Sequence, residues 1–225
     1  VCAVVGYPER GCVSITSNRR EREKAQRRED ILQAAREVFL NGSPFRGTID
    51  DVAARAQVSK GTVYLYFESK ETLLALLLLE GLEVLEARFK ACLPRKALPA
   101  GRCLVRLADA YFHFCREFPS HFRLMMAFDS GQFRERVPPE LYQQIFDSSK
   151  HLLQCVADTV QQGIDEGEFE MDDAWSTAGV LWGALNGALV LANHPLRREL
   201  LRAPVQTIFQ QTLEILLNGI RKQKN

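Results

Sequence analysis

Between Lys60 and Tyr66 the chain reads Lys-Gly-Thr-Val-Tyr-Leu-Tyr. Lys60, Thr62, Tyr64 and Tyr66 all carry hydrogen-bond donors, and Lys60 adds a positive charge. On a helix advancing about 100° per residue, Gly61, Thr62 and Leu65 share one face. Lys60 and Tyr64 flank one edge of it and Tyr66 the other. Small residues in the middle let the helix backbone come close to a grooved surface. The cation, hydroxyl and phenols around them suit phosphate oxygens and the acceptor edges of bases. Val63 and Phe67, four residues apart, lie on the opposite side and point into a core. Exposed tyrosines alone would describe only the surface of a small helical unit, so the elements that position them carry the decision.

Those elements are legible. Thr48 is a good helix N-cap, and Asp51 three residues on resembles a capping box. Ile49, Val52, Ala53 and Ala56 then fall at helical spacing. Ala53 is small where a second helix must cross closely. Ala56-Gln57-Val58 forms a corner and Ser59 caps the next helix. Both helices are too short to stand alone and need neighbours. Upstream, Ile31, Leu32, Ala35, Val38 and Phe39 form a stripe that ends at Asn41-Gly42-Ser43-Pro44, a strong stop. Phe45 is the expected plug between the helices. The capped pair, its corner and the donor-rich face predict a helix-turn-helix over 48–67 that reads a major groove. Arg19, Arg20, Arg22, Lys24, Arg27 and Arg28 precede it, a cluster within reach of phosphates.

The stretch from Arg27 to Leu79 resembles the N-terminal domain of TetR-family transcriptional regulators. The features agree in order: Ile-x-x-Ala-Ala ending in Phe-x-x-x-Gly, a Thr-Ile start, Val-Ser-Lys-Gly-Thr-x-Tyr-x-Tyr-Phe, then Ser-Lys-Glu-x-Leu-Leu. Gln57 departs from the family, which usually has Gly at the corner. By the motif match and the wheel together, Lys60, Gly61 and Thr62 are assigned to base edges and nearby backbone. Thr48, Tyr64, Tyr66 and Lys70 are assigned to phosphates. Lys70 starts a helix, over 69–91, whose first amides would join it there. The resemblance implies that this helix is a rod whose tilt couples ligand occupancy to the spacing of two reading heads.

Beyond Pro94–Gly101 the pattern is one of helices separated by breaks, among them a loop over Asp129–Pro139 and a stop at His194-Pro195, with no convincing strand. Gly179, Gly183 and Gly187 recur every four residues beside Trp182 and Asn186. Each glycine costs a helix about 1 kcal/mol against alanine, so the stripe predicts close approach of another helix. The family's dimer is typically a four-helix bundle of the last two helices of each subunit, matched by 173–192 and 204–220. A homodimer interface is therefore expected at Gly179, Gly183, Asn186, Gly187, Phe209 and Leu213, with intramolecular packing as the alternative. Soft and aromatic residues concentrate in the middle helices, suiting an adaptable apolar pocket. The family holds its inducer there. Phe112, Cys115, Phe122, Met125, Met126 and Trp182 are the expected lining, for a hydrophobic small-molecule effector.

Composition agrees and excludes. The 225 residues are 46% hydrophobic with a net charge of +1. Arg19–Lys70 holds eleven basic and eight acidic residues, whereas the chain after Lys70 holds seventeen and nineteen. The basic excess lies on the DNA-reading part. Six cysteines without metal-site spacing suit a reduced, cytoplasmic protein. His113/Glu117 and His151/Cys155 each lack a third ligand, so no metal is expected, and no cofactor. The run Ala178–Ala192 is short of the ~20 residues that span a bilayer, so no membrane partner is expected. No phosphate loop, nucleophile elbow or zinc-protease motif is present, which argues against an enzyme.

The reading is an all-α protein. Residues 1–18 are a disordered tail and 19–70 a three-helix, homeodomain-like helix-turn-helix DNA-binding domain. Residues 71–93 are a connector helix and 94–225 a helical ligand-binding and dimerisation domain. Its expected role is a bacterial ligand-responsive repressor that binds a palindromic operator in double-stranded DNA. A helical ligand-binding or protein-interaction bundle without operator binding is the alternative, and the intact Lys60-Gly61-Thr62 face discriminates against it.

Overall fold

A computed structural model describes residues 14–42, 44–93, 98–129, 131, 133–193 and 195–222. Among them are ten helices and no strand, only an isolated bridge between Phe169 and Arg221. The chain divides into two compact units between Leu73 and Leu74.

The first unit holds α1 (Ser14–Leu40), α2 (Ile49–Arg55) and α3 (Lys60–Tyr66). α1 starts inside the stretch expected to be a tail, and residues 1–13 lie outside the described residues. Ile31, Ala35 and Phe39 of α1 are fully buried, together with Val52 of α2 and Val63 of α3; Phe67 just beyond α3 is nearly so. α1 packs on α2, and α2 on α3. Gly47 lets the chain pass the Phe39 ring, because a Cβ there would lie 2.7 Å from it. Phe45 is not the expected plug. Its side chain is 43% exposed, and it is the Phe45 carbonyl that serves the core, accepting from Lys70.

The corner follows from hydrogen-bond accounting. α2 leaves its last carbonyls without helical partners. Val58 N–H donates to Ala53 O at 3.0 Å and Gln57 N–H to Ala54 O at 3.2 Å, the pair of bonds that defines a Schellman closure. Closure needs a left-handed residue, and Gln57 has φ 56°. A side chain in that region costs about 1–2 kcal/mol. Gln57→Gly is therefore expected to stabilise this unit by about 1 kcal/mol, net of glycine's greater entropy in the unfolded chain. Gln57→Val is expected to destabilise it. Thermal melts of the two variants check the ordering, and a Gly variant that melts below the parent contradicts it.

α4 (Lys70–Cys92) begins in the first unit and runs on through the second. The second unit adds α5 (Ala100–Glu117), α6 (Pro119–Asp129), α7 (Pro139–Asp165), α8 (Ala174–Asn193), α9 (Pro195–Leu201) and α10 (Val205–Ile220). α8 packs against α7, α9 and α10, and α5 against α6, α7 and α10. By length and composition Ala174–Leu191 could cross a membrane, a longer apolar window than the sequence reading allowed. In this unit α8 turns Ala178, Leu181, Leu185 and Leu189 into the core. Glu170 N–H donates to Ile220 O at 2.9 Å and Lys222 N–H to Glu168 O at 3.0 Å, which pins the end of α10 beside the turn after α7.

α6 meets α4 through His121. Gly81 makes room for it, since a Cβ there would lie 2.5 Å from the imidazole. The ring also sits among Phe114 and Phe118, with centroids 6.5 and 5.7 Å away. Burial pushes the His121 pKa below its ordinary 6.5. The folded chain thus binds a proton here less readily than the unfolded chain. This contribution to stability is complete above pH 6.5 and is lost as pH falls below it. Between pH 7.5 and 5.5 the melting temperature of the parent is expected to drop more than that of His121→Gln. Equal drops contradict this.

Candidate nucleic-acid interface

α3 is positioned by its two ends and its buried side. Ser59 caps it: Thr62 N–H donates to Ser59 Oγ at 3.1 Å. Val63 and Phe67 fix its rotation in the core. The remaining surface carries Lys60, Gly61, Thr62, Tyr64, Leu65 and Tyr66. Leu65 is 82% and Tyr64 47% exposed, while Thr62 and Tyr66 are half-buried. The nearest atom a Cβ on Gly61 would meet is Ser59 Oγ, at 3.8 Å. Packing within the chain therefore gives no reason for glycine at this place, where alanine would favour the helix.

Lys60 is held before any partner arrives. Its Nζ donates to Asp50 Oδ2 at 2.8 Å, and this hydrogen bond pushes its pKa up. Asp50 lies ten residues away in α2, and no helical spacing rule points to it. A phosphate or base that takes Lys60 competes with this carboxylate, whose charge also repels the backbone of DNA.

Thr48 and Lys70, also expected to contact DNA, have bonds of their own within the chain. Thr48 completes the capping box. Its hydroxyl donates to Asp51 Oδ2 at 2.7 Å, and Asp51 N–H donates to Thr48 Oγ1 at 3.2 Å. The Thr48 hydroxyl and, after it, the Thr48 N–H, which donates to Asp51 Oδ2 at 2.9 Å, pull the Asp51 pKa down. Lys70 Nζ donates to the Phe45 carbonyl at 3.0 Å and lies 5.5 Å from the Phe39 ring centroid. Burial pushes its pKa down. The structure thus brings Lys60, Gly61, Thr62, Tyr64 and Tyr66 onto one helix and leaves Thr48 and Lys70 as braces of the fold around it.

In the second unit the glycines of α8 face outward. A Cβ on Gly179, Gly183 or Gly187 would meet nothing within 4 Å. Val180 and Val190 are exposed on the same face of α8, and Ile215 of α10 is 71% exposed. Asn186, Phe209 and Leu213, expected with the glycines at an interface, are instead buried within the chain. Asn186 turns inward to accept from the Tyr111 hydroxyl. The Phe209 ring packs on Phe112, with centroids 4.9 Å apart. Leu213 lines a cavity. The apolar stripe of α10 is used against α5 and α8, so the residues it leaves outside are Ile215 and its neighbours.

That cavity measures about 40 Å³ and is walled almost wholly by apolar atoms from Phe89, Leu107, Tyr111, Leu181, Trp182 and Leu185, among others. Of the expected pocket residues Trp182 lines it, its ring tilted 34° against Tyr111 at 5.4 Å between centroids. Phe112, Cys115, Phe122, Met125 and Met126 do not line it. All but the half-buried Met126 are packed into the surrounding core. Burial pushes the Cys115 thiol up to about 12, which keeps it inert. Among the described residues no group of three metal-ligating side chains comes together.

The model of bacterial regulatory proteins of the tetR family matches residues 31–77. The chain is 26% identical to the HTH-type transcriptional repressor KstR2 of Mycobacterium tuberculosis over 209 residues, covering 88% of this chain and 94% of KstR2. It is 40% identical over 52 residues to the HTH-type transcriptional repressor BepR of Brucella suis, covering 23% of this chain and 25% of BepR. The solved structure of the ketosteroid transcriptional regulator KstR2 of Mycobacterium tuberculosis superposes with a TM-score of 0.62 at 25% identity, covering 88% of this chain and 96% of that one.

Proposed function

Because the chain belongs to the tetR family of bacterial regulatory proteins, we propose that it is a ligand-responsive transcriptional repressor that binds a palindromic operator as a homodimer. The observation that carries this reading is the exposed face of α3. It is capped at one end and rotated into place by Val63 and Phe67. At its centre is a glycine that nothing inside the chain requires. Lys60, Gly61 and Thr62 read base edges from it, and Tyr64 and Tyr66 hold the flanking phosphates.

Two heads are needed because one short helix contacts only a few base pairs. The two copies pair through the open glycine face of α8 and the exposed side of α10, and half-sites one turn of duplex apart ask for two copies of α3 about 34 Å apart. The effector is apolar, to match the cavity beside Trp182. A ligand of more than a few heavy atoms fits only if α5, α7 and α8 move apart, so it selects a conformer wider than this one. It releases DNA to the extent that it binds that conformer better. The site of action is the cytoplasm, where the operator lies.

Selection of duplexes from a random pool by the 225-residue chain tests the reading. The expected product is an inverted repeat with half-sites about one helical turn apart. A pool that fails to enrich any sequence contradicts it.

A further inference from the structure

α1 buries no side chain between Arg19 and Glu29. Every residue from Arg19 to Glu29 is exposed, and the core stripe begins only at Ile31. From Arg19 to Arg27 the helix runs about 13 Å, at 1.5 Å per residue, with no buried side chain, whereas most helical stability comes from tertiary packing. The charges on this segment are sorted. Arg20, Lys24, Arg27 and Arg28 fall at i, i+4, i+7 and i+8, within about 100° of arc. No carboxylate lies between them. Glu21 and Glu23 border the stripe, and Glu23 is held by Arg19 at 2.8 Å. Glu29 is held by Arg36 at 2.7 Å, and Asp30 accepts from Gln26 at 2.8 Å. Among the described residues, Arg20, Lys24 and Arg27 have no ion pair or hydrogen bond.

The stripe is also aimed. It continues, toward the N-terminus, the same face that carries Ile31, Ala35 and Phe39 into the core. Its last member, Arg28, lies with its guanidinium 5.1 Å from the ring centroid of Phe67, the residue that closes α3. The basic face therefore leaves the unit from the C-terminal end of the reading helix. A solvated helix has no need to separate its charges into one sign along that line.

We propose that Arg20, Lys24 and Arg27 form a phosphate-binding arm that grips duplex DNA flanking the sequence read by α3. This rests on the reading of the first unit as a DNA-binding head. Arg28 is the hinge of the arm, packed on Phe67, and the three residues before it carry the contacts. The arm adds affinity without sequence preference, since it meets backbone and no base edge.

The test compares the parent with the triple variant Arg20→Gln, Lys24→Gln, Arg27→Gln in the full chain. The probes are the duplex selected from the random pool with about ten flanking base pairs on each side, and the same duplex trimmed of its flanks. The three residues are exposed, so equal melting temperatures verify that the variant is folded. For the parent, trimming is expected to weaken binding at least tenfold. For the variant, trimming is expected to change little. The slope of log affinity against log salt on the flanked duplex should shrink by about 0.9 per lost contact, near three per head. A variant that keeps the parent's slope and its dependence on flanks overturns the arm while leaving the head intact. A parent indifferent to flanks does the same. A parent that binds no selected duplex removes the reading of the head, and the arm with it.

Discussion

Replacing Lys60 and Tyr64 by alanine is expected to abolish operator-specific binding while leaving the protein folded. Lys60 is exposed and Tyr64 nearly half so, and neither helps to bury Val63 or Phe67. The ion pair that Lys60 makes with Asp50 is on the surface, where such pairs contribute little to stability. A base-edge contact contributes about 1–3 kcal/mol of discrimination, and a dimer loses each contact twice. The double variant should therefore bind the selected duplex at least 10²-fold more weakly, approaching its own affinity for scrambled DNA. Gly61→Ala gives a sharper version. It favours the α3 helix, so it should not destabilise the protein, yet it holds the backbone away from the groove. Anisotropy titrations and melts on the same samples separate the two effects. Unchanged affinity in the double variant would move the reading surface off α3.

Gly183→Arg is expected to prevent the proposed homodimer and leave monomers. The Gly183 position is open, with nothing within 4 Å of a Cβ. Arginine is also a far better helix residue, by up to about 1 kcal/mol. The isolated chain should lose no stability. Against a second copy, however, the new side chain fills the close approach that the glycines allow and places two like charges near the two-fold axis. Sedimentation should show a monomer at micromolar concentration. Operator affinity should fall by about 10²–10³, because the second head no longer binds at high effective concentration. A variant that remains dimeric places the interface elsewhere, with the exposed Leu196 and Leu200 of α9 as the next surface to change.

The head was legible in the sequence because its ends are chemically marked. Thr48 with Asp51, Ser59, and the Asn41–Pro44 stop each satisfy or terminate specific backbone groups, so the helices sit where those residues require. Gln57 was legible as a corner even without glycine, since only a left-handed residue completes the bonds from Val58 and Gln57 back to α2. The start of α1 was not legible. Its first turns carry no apolar stripe, and the charge-dense segment around Arg19 gives no period to follow. α9 leaves no mark in the sequence for a related reason. Pro195–Leu201 spans two turns, too short to show a period, and its helix is set by packing against α8.

The site divides in the same way. The outward residues of α3 follow from the wheel once Val63 and Phe67 are known to be buried. The partners of Lys60, Thr48 and Lys70 depend on contacts between elements: Asp50 across from α3, Asp51 in the capping box, and the Phe45 carbonyl. The glycine stripe of α8 was readable because glycine is costly in a helix. Phe209 and Leu213 were placed on the wrong side because an apolar stripe does not say which neighbour it faces. In α10 that neighbour is the chain's own α5 and α8.

The most direct measurement is the affinity of the 225-residue chain for its selected inverted repeat relative to a scrambled duplex of equal length, at about 150 mM salt. A ratio of 10³ or more is predicted, the range of specific operator readers. A ratio near one, at whatever absolute affinity, would mean that α3 meets only phosphates and that this chain reads no sequence.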